Sequence, residues 1–389
     1  MKAVLLTLLI LGALCSCQSD SEHTSGANSA GDTVVVVQSE NLKQIDYTLL
    51  LEQRNYFKAP EAKIISYLGE ELVRYYHYNS KIYIERIAAD GEVRWKKQFF
   101  FGVNNVMNEL AKGPDDRIYC LSRTFDDEHQ INATLFCLDQ NGELQWKKML
   151  GNLKADHFLL HDQTISLIGY TGDLESYTLI QTDLDGDVKK EQGIKKLQFF
   201  NLSKMALDQD GNYLLFGGKT PPTQANQSDI LILKMSPKGK ILKRFEMGSP
   251  QNDWASDGLC LPDGRILCIA GWEADMSTNK HQKKILCLDP KLKLLWERRL
   301  QFANSWTDNS LLFQDKNQHL YSLSSGTTPE GGNSIYLISY SETGQMENIY
   351  YLPESSRVFA PYGVSVAVNN AIRISTNAGI VEVQPDAIK

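Results

Sequence analysis

Ile230-Leu231-Ile232-Leu233-Lys234-Met235 runs into Ser236-Pro237-Lys238-Gly239 and leaves again through Lys240-Ile241-Leu242. An apolar run of β-branched and leucine residues, a turn with Gly in its last place, and a second apolar start predict two short strands joined by a tight hairpin. The same unit recurs along the chain. It reads IYIERIAADGEVRWKK around Gly91, LFCLDQNGELQWKK around Gly142 and LIQTDLDGDVKK around Gly186. It returns as ILCLDPKLKLLWER around Leu292 and YLISYSETGQMEN around Gly344, and VVVVQSENLKQID around Asn41 is a degenerate seventh copy. The spacing is about 50 residues, shortest between Gly142 and Gly186.

A second landmark follows each hairpin, a turn leading into an apolar strand: PDDRIYCLS, DQDGNYLLFGG, PDGRILCIAG and DKNQHLYSLSSG. Each repeat therefore holds about four short strands and no helix-length amphipathic segment. Four-stranded units repeated around an axis predict an all-β fold, a single β-propeller of seven blades, with six or eight as the alternatives. The segment from Gly379 to Gln384 reads as a spare strand, expected to pair with the N-terminal blade and close the ring, leaving no free terminal edge. The repeat resembles a bacterial propeller motif of the form "DGGYILAG.T…D.yLiKlD.nGn.lW.k", best between Asp208 and Met346, and is similar to quinoprotein-like propellers. The resemblance implies architecture rather than activity, because propellers host many functions.

The N-terminus has its own logic. Met1-Lys2 is followed by an apolar run from Ala3 to Leu14. It is too short to span a bilayer and has the form of a secretory signal. Leu14-Cys15-Ser16-Cys17 resembles the lipobox of bacterial lipoproteins, with cleavage after Ser16 and a lipid on Cys17. The organisation expected is a signal peptide over 1–16, a flexible Ser-, Gly- and Asn-rich tether over 17–33, and the propeller over 34–389. Net charge is −7, one more negative once Lys2 is removed. That argues against nucleic acid or an anionic membrane surface as partners and leaves the lipid as the membrane contact.

Five cysteines follow Cys17. Cys120 and Cys268 share one repeat position, Cys137 and Cys287 another. Cys120 with Cys137, and Cys268 with Cys287, are placed on adjacent strands, where a cross-strand disulfide is one reading and buried apolar filling, which also suits Cys260, is the other.

Several fragments fail as catalytic or metal motifs. Gly217-Gly218-Lys219-Thr220 has Tyr213 where a phosphate loop needs Gly. Asp183-Leu184-Asp185-Gly186-Asp187 has Val188 and Ile194 where a calcium loop needs Gly and Glu. His157 and His161 are four apart but on a strand, and no Gly-x-Ser-x-Gly occurs. No metal or cofactor is expected.

The loops that enter each blade's innermost strand are expected to surround the central funnel. They carry Trp254, Trp306, Asp308, His157 and Tyr362, an aromatic and polar set suited to a glycan or peptide. Blade-to-blade packing is the competing reading for the two tryptophans, and Trp95, Trp146 and Trp296, just after the hairpin turns, read as structural. The function expected is a lipid-anchored binding or scaffold protein of the bacterial cell envelope. It would sit at the outer membrane, periplasmic or surface-facing, similar in architecture to the propeller lipoprotein of outer-membrane protein assembly. The alternative is a carbohydrate-active propeller enzyme, a polysaccharide lyase or glycoside hydrolase. A quinone-dependent dehydrogenase would need adjacent cysteines and a metal-ligand cluster, neither of which the sequence carries.

Overall fold

The computed structural model describes residues 33–36, 42–45, 48–52, 62–125, 131–170, 176–195, 197, 200–220, 227–275, 280–301, 310–327, 333–341, 343–352, 361–376 and 379–388. The segments read as a signal peptide (1–16) and a tether (17–33), Cys17 among them, lie outside the described residues except for Thr33. Seven four-stranded antiparallel sheets form the blades of a closed ring. Blades 1 to 6 are built in chain order from residues 63–99, 103–149, 158–193, 200–247, 252–301 and 310–352. Blade 7 takes its three inner strands from the C-terminus (Pro361–Val366, Ile372–Thr376 and Gly379–Val383) and its outermost strand, Thr48–Glu52, from the N-terminus.

The outer hairpins of blades 1 to 6 are made by local hydrogen bonds. In blade 2, Gly142 N donates to Asp139 O at 3.0 Å, and Asp139 Oδ1 accepts from Asn141 N and Glu143 N at 2.8 and 2.9 Å. Asp183 repeats this in blade 3 and Asp289 in blade 5, while Ser236 and Ser341 stand in with a hydroxyl in blades 4 and 6. The fourth turn residue is left-handed throughout, with φ of +77° at Gly142, +79° at Gly186 and +62° at Leu292. This is the three-residue hairpin loop with a bulge, and it explains why Gly recurs there.

The middle strands are apolar on both faces because each blade is sandwiched between two others. Tyr213 and Leu215 pack toward blade 3, while Leu214 and Phe216, one residue over, pack toward blade 5. One apolar cluster fills each of the seven seams. This alternation decides the cysteines. Cys120 is opposite Phe136 and Cys137 is opposite Tyr119, so the two thiols point into different seams. Cys268 and Cys287 are offset in the same way. The cross-strand disulfide reading fails on this one-residue offset, and Cys120, Cys137, Cys260, Cys268 and Cys287 are free thiols.

The outermost strands seal the rim. Trp95 Nε1 donates to Gln140 O of the next blade's turn at 3.0 Å, and Trp146 Nε1 to Leu184 O at 3.2 Å. Lys97–Glu143 (2.5 Å) and Lys148–Asp187 (2.9 Å) span the same seams. The recurring tryptophans after the turn are thus blade-to-blade clasps.

Two features depart from the sequence reading. The VVVV segment around Asn41 is no blade. Thr33–Val36 adds in parallel to the outer strand of blade 5, and Leu42–Gln44 adds in parallel to that of blade 6. The segment has no inner strands of its own, so it can only extend existing edges. The seventh blade is the C-terminal sheet instead. Gly379–Val383 is its third strand and does close the ring, but by receiving Thr48–Glu52 rather than by joining an N-terminal blade.

Candidate functional site

The innermost strands carry one-residue bulges at a shared position. The pairing skips Asn108 in blade 2, Ser203 in blade 4, Ser256 in blade 5 and Tyr362 in blade 7. A bulge twists its strand and re-aims the next side chain. In three of these blades that next residue is ionisable: Glu109, Lys204 and Asp257. With His157, just before the inner strand of blade 3, they line a central cavity of about 500 Å³. All seven blades contribute to its wall, including Lys63 from blade 1, Ser310 from blade 6 and Tyr362 from blade 7.

Glu109 Oε2 lies 3.3 Å from His157 Nδ1 and accepts from Phe158 N at 2.8 Å. Burial alone would push this carboxyl up. The His157 and Lys204 charges and the Phe158 amide outweigh it and hold the group at about 2. Lys204 is held above its ordinary value by the facing carboxylate of Asp257, against the cost of burial. Asp257, 6% exposed, goes the other way. Burial raises it although Lys204 attracts it and the Gly258 and Leu312 amides each donate to it at 2.9 Å. The two carboxylates are therefore pushed apart, Glu109 toward permanent ionisation and Asp257 toward protonation.

Outside this ring, Asn108 ties the bulge of blade 2 to blade 3, donating to Ala155 O at 2.7 Å and Asp156 Oδ1 at 3.0 Å. Tyr75 and Lys63 of blade 1 donate to its carbonyl at 3.0 and 3.4 Å. A side groove of about 180 Å³, lined by Tyr76, His77 and Met107, shares Lys63, Tyr75 and His157 with the channel.

Of the residues singled out from sequence, His157 and Tyr362 meet in this channel. Trp306 and Asp308 lie outside the described residues. Trp254 is a half-buried packing residue of the blade 4–5 seam. Its Cζ2 lies 2.8 Å from where a Cβ on Gly271 would sit, and its own Cβ is 3.2 Å from that place on Gly218. Asn252 and Asp253, the first two residues of its strand, accept backbone amides from Ser228 and Glu273 and fix the strand start. Sequence reasoning missed Glu109, Lys204 and Asp257, although a signal exists. Each is a charged residue seven places before the left-handed turn residue Asp116, Gly211 or Gly264.

A second cavity, about 580 Å³, lies off the axis where blades 5 and 6 meet, lined by Trp296, Arg265, His319 and Glu347. Trp296 presents its Cε2–Cζ2 edge to Gly344, whereas Trp95 and Trp146 present Cε3–Cζ3 to theirs. The clasp differs at the seam where the cavity opens. Among the described residues no group of three or more His, Cys, Asp or Glu could hold a metal ion, and no helix is long and apolar enough to cross a membrane.

No family model matches the chain, and no curated protein matches it. Solved propellers do. A streptogramin B lyase aligns over 89% of this chain and 99% of its own, with a TM-score of 0.58 at 15% identity. A candidate 6-phosphogluconolactonase of Bacteroides fragilis aligns over 81% and 87%, with a TM-score of 0.51 at 14% identity. Drosophila Plexin A, solved in complex with Semaphorin 1b, aligns over 88% of each chain, with a TM-score of 0.51 at 6% identity. The chain shares their fold.

Glu109 makes a prediction independent of function. A carboxyl held below its unfolded value contributes stability that is fully present above about pH 4.3 and lost as pH falls through its folded value of about 2. The wild type should therefore exceed Glu109→Gln in stability near neutrality, and the gap should close between about pH 5 and pH 2. Urea unfolding across that window checks it; a gap that does not change with pH would rule out ionisation as its source.

Proposed function

We propose that this is a lipid-anchored binding protein of the bacterial cell envelope that takes its ligand in the central channel. The observation that supports the reading is the set of bulges. Three blades spend a strand irregularity to bring Glu109, Lys204 and Asp257 to one level of the axis, where burial of charge is costly for folding. Such an arrangement suits a site better than a scaffold core. The anchor rests on the Leu14–Cys17 box and on a tether that ends where the strand Thr33–Val36 begins. The outer membrane is its proposed home, with the protein facing either the periplasm or the cell surface.

Two measurements test the two halves. Cys17→Ala should move the protein from the membrane fraction to the soluble or unprocessed fraction, with loss of acyl mass from the N-terminal peptide. A protein that stays membrane-bound without Cys17 would refute the anchor. For the channel, some member of a panel of soluble saccharides and peptides should raise the melting temperature of the wild type but not of Lys204→Met. A panel member that raises both equally would place binding elsewhere.

One observation favours the alternative, a carbohydrate-active enzyme. Glu109 and Asp257 share the channel with their protonation pushed in opposite directions, the division of labour that glycoside cleavage needs between base or nucleophile and acid. Under that reading Asp257→Asn would retain saccharide binding and lose turnover.

A further inference from the structure

The channel wall is divided. Lys63, Glu109, His157, Lys204 and Asp257 come from blades 1 to 5 in turn, so that basic and acidic groups share that side. The facing side, from blades 6 and 7, presents Leu311, Leu312, Phe313, Pro361, Tyr362 and Val364. One half of the cavity is ionic with both signs present, and the other half is apolar apart from two hydroxyls.

Lys204 Nζ has no hydrogen bond or ion pair among the described residues, although two carboxylates act on it through space. Ser256 Oγ, beside Asp257, is a buried hydroxyl without a partner. A half-buried ammonium and an orphaned hydroxyl on one wall ask for an acceptor group from outside the protein. Glu109 and Asp257, flanking Lys204 on blades 2 and 5, already accept backbone amides, and each carboxylate keeps lone pairs for a further donor.

Simple ligand classes fit this poorly. A phosphate-rich or polyanionic molecule would meet Glu109. A polycation would meet Lys204. A neutral oligosaccharide would offer Lys204 only neutral acceptors and set hydroxyls against the leucine and phenylalanine wall. A cavity of about 500 Å³ is also larger than one amino acid requires and falls in the range of drug-sized ligands.

We infer that the channel binds a short, zwitterionic peptide with apolar side chains. Its free carboxylate pairs with Lys204 and Ser256, its ammonium with Glu109 and Asp257, and its side chains lie on the wall of Leu311, Phe313 and Tyr362. The inference rests on the channel being a ligand site and adds the chemistry of the ligand. The side groove of Tyr76 and His77 offers room for a further residue of a longer peptide.

Isothermal titration of the full, detergent-extracted protein tests it with four probes: leucyl-leucine, its N-acetyl form, its C-terminal amide and maltotriose. Leucyl-leucine should bind, and each blocked form should bind at least about tenfold more weakly, since each leaves one buried charge without its counter-ion. Lys204→Met should erase the difference between free acid and amide while keeping the penalty for N-acetylation. Asp257→Asn should reduce the penalty for N-acetylation while keeping the preference for the free acid, which keeps the test decisive if Lys204→Met does not fold. Equal binding of free and blocked peptides would overturn the zwitterion. Maltotriose binding without any peptide binding would overturn the peptide and leave the channel as a ligand site. No response from any probe, in a protein whose melting temperature the wider panel also leaves unchanged, would remove both readings.

Discussion

Gly344→Ala should lower the unfolding free energy by about 2–5 kcal/mol, far more than a surface Gly-to-Ala change. Two costs add. Gly344 has φ of +76°, where a Cβ costs about 1–2 kcal/mol. The new methyl would also overlap Trp296 Cζ2 and Cε2, and overpacking of this kind costs about 1–3 kcal/mol. The two parts separate in a double-mutant cycle. Adding Trp296→Ala removes the collision but not the backbone cost, so the double variant should lose less than the sum of the singles. Urea unfolding of the four proteins reads the coupling directly. Strict additivity would mean that the indole and the turn do not touch. Gly211→Ala is a useful control. Its φ is similar, +74°, but nothing lies within 4 Å of the added carbon, so it should show the backbone cost alone.

Deleting residues 379–389 should abolish the closed ring and, with it, cooperative folding at ordinary temperature. The deletion removes the strand Gly379–Val383, which holds Thr48–Glu52 in blade 7. Ile380, Val381 and Val383 are fully buried, and each large-to-small core loss alone costs about 1–5 kcal/mol. It also removes Glu382, whose Oε2 accepts from Arg373 Nε at 2.6 Å. Arg373 is 3% exposed and reaches across to Glu70 of blade 1, so truncation leaves a buried guanidinium short of its main partner, worth about 3–5 kcal/mol by itself. Domain stabilities are typically about 5–15 kcal/mol, so the sum exceeds what the fold can lose. The truncated chain should be insoluble or should lack a sharp thermal transition. A soluble product with an unchanged melting temperature would show that the ring does not depend on this strand.

Much of the fold was legible in the sequence because its determinants are local. The Asp-x-x-Gly and Ser-x-x-Gly turns form by hydrogen bonds across three or four residues, so their spacing marks each outer hairpin without tertiary information. The double-sided apolar strands and the tryptophans after the turns follow from the same repeat. The blade number came out at seven with one wrong member. The VVVV segment near Asn41 has strand propensity but extends the rims of blades 5 and 6, and propensity does not say which edge a strand joins. The seventh blade lacks the Gly-turn signature because its outer strand comes from the other end of the chain and no turn connects them.

The candidate site was legible only in part. His157 and Tyr362 were found from the expected position of the entering loops, and both reach the channel. Trp254 belongs to the same kind of loop, yet Gly218 and Gly271 make a slot for its indole, a complementarity between strands of two blades that no local pattern records. Glu109, Lys204 and Asp257 were missed because a bulge is a property of the pairing between two strands, not of either strand alone. By itself the sequence determined the repeat, the turns, the strand count within a blade and the faces each strand buries, all set by contacts near in the chain. Only the tertiary structure decided which segment closes the ring, which thiols face different seams and which charges meet on the axis. Those outcomes depend on residues from Lys63 to Val364 being brought together, and on a one-residue register that chain-local forces do not fix.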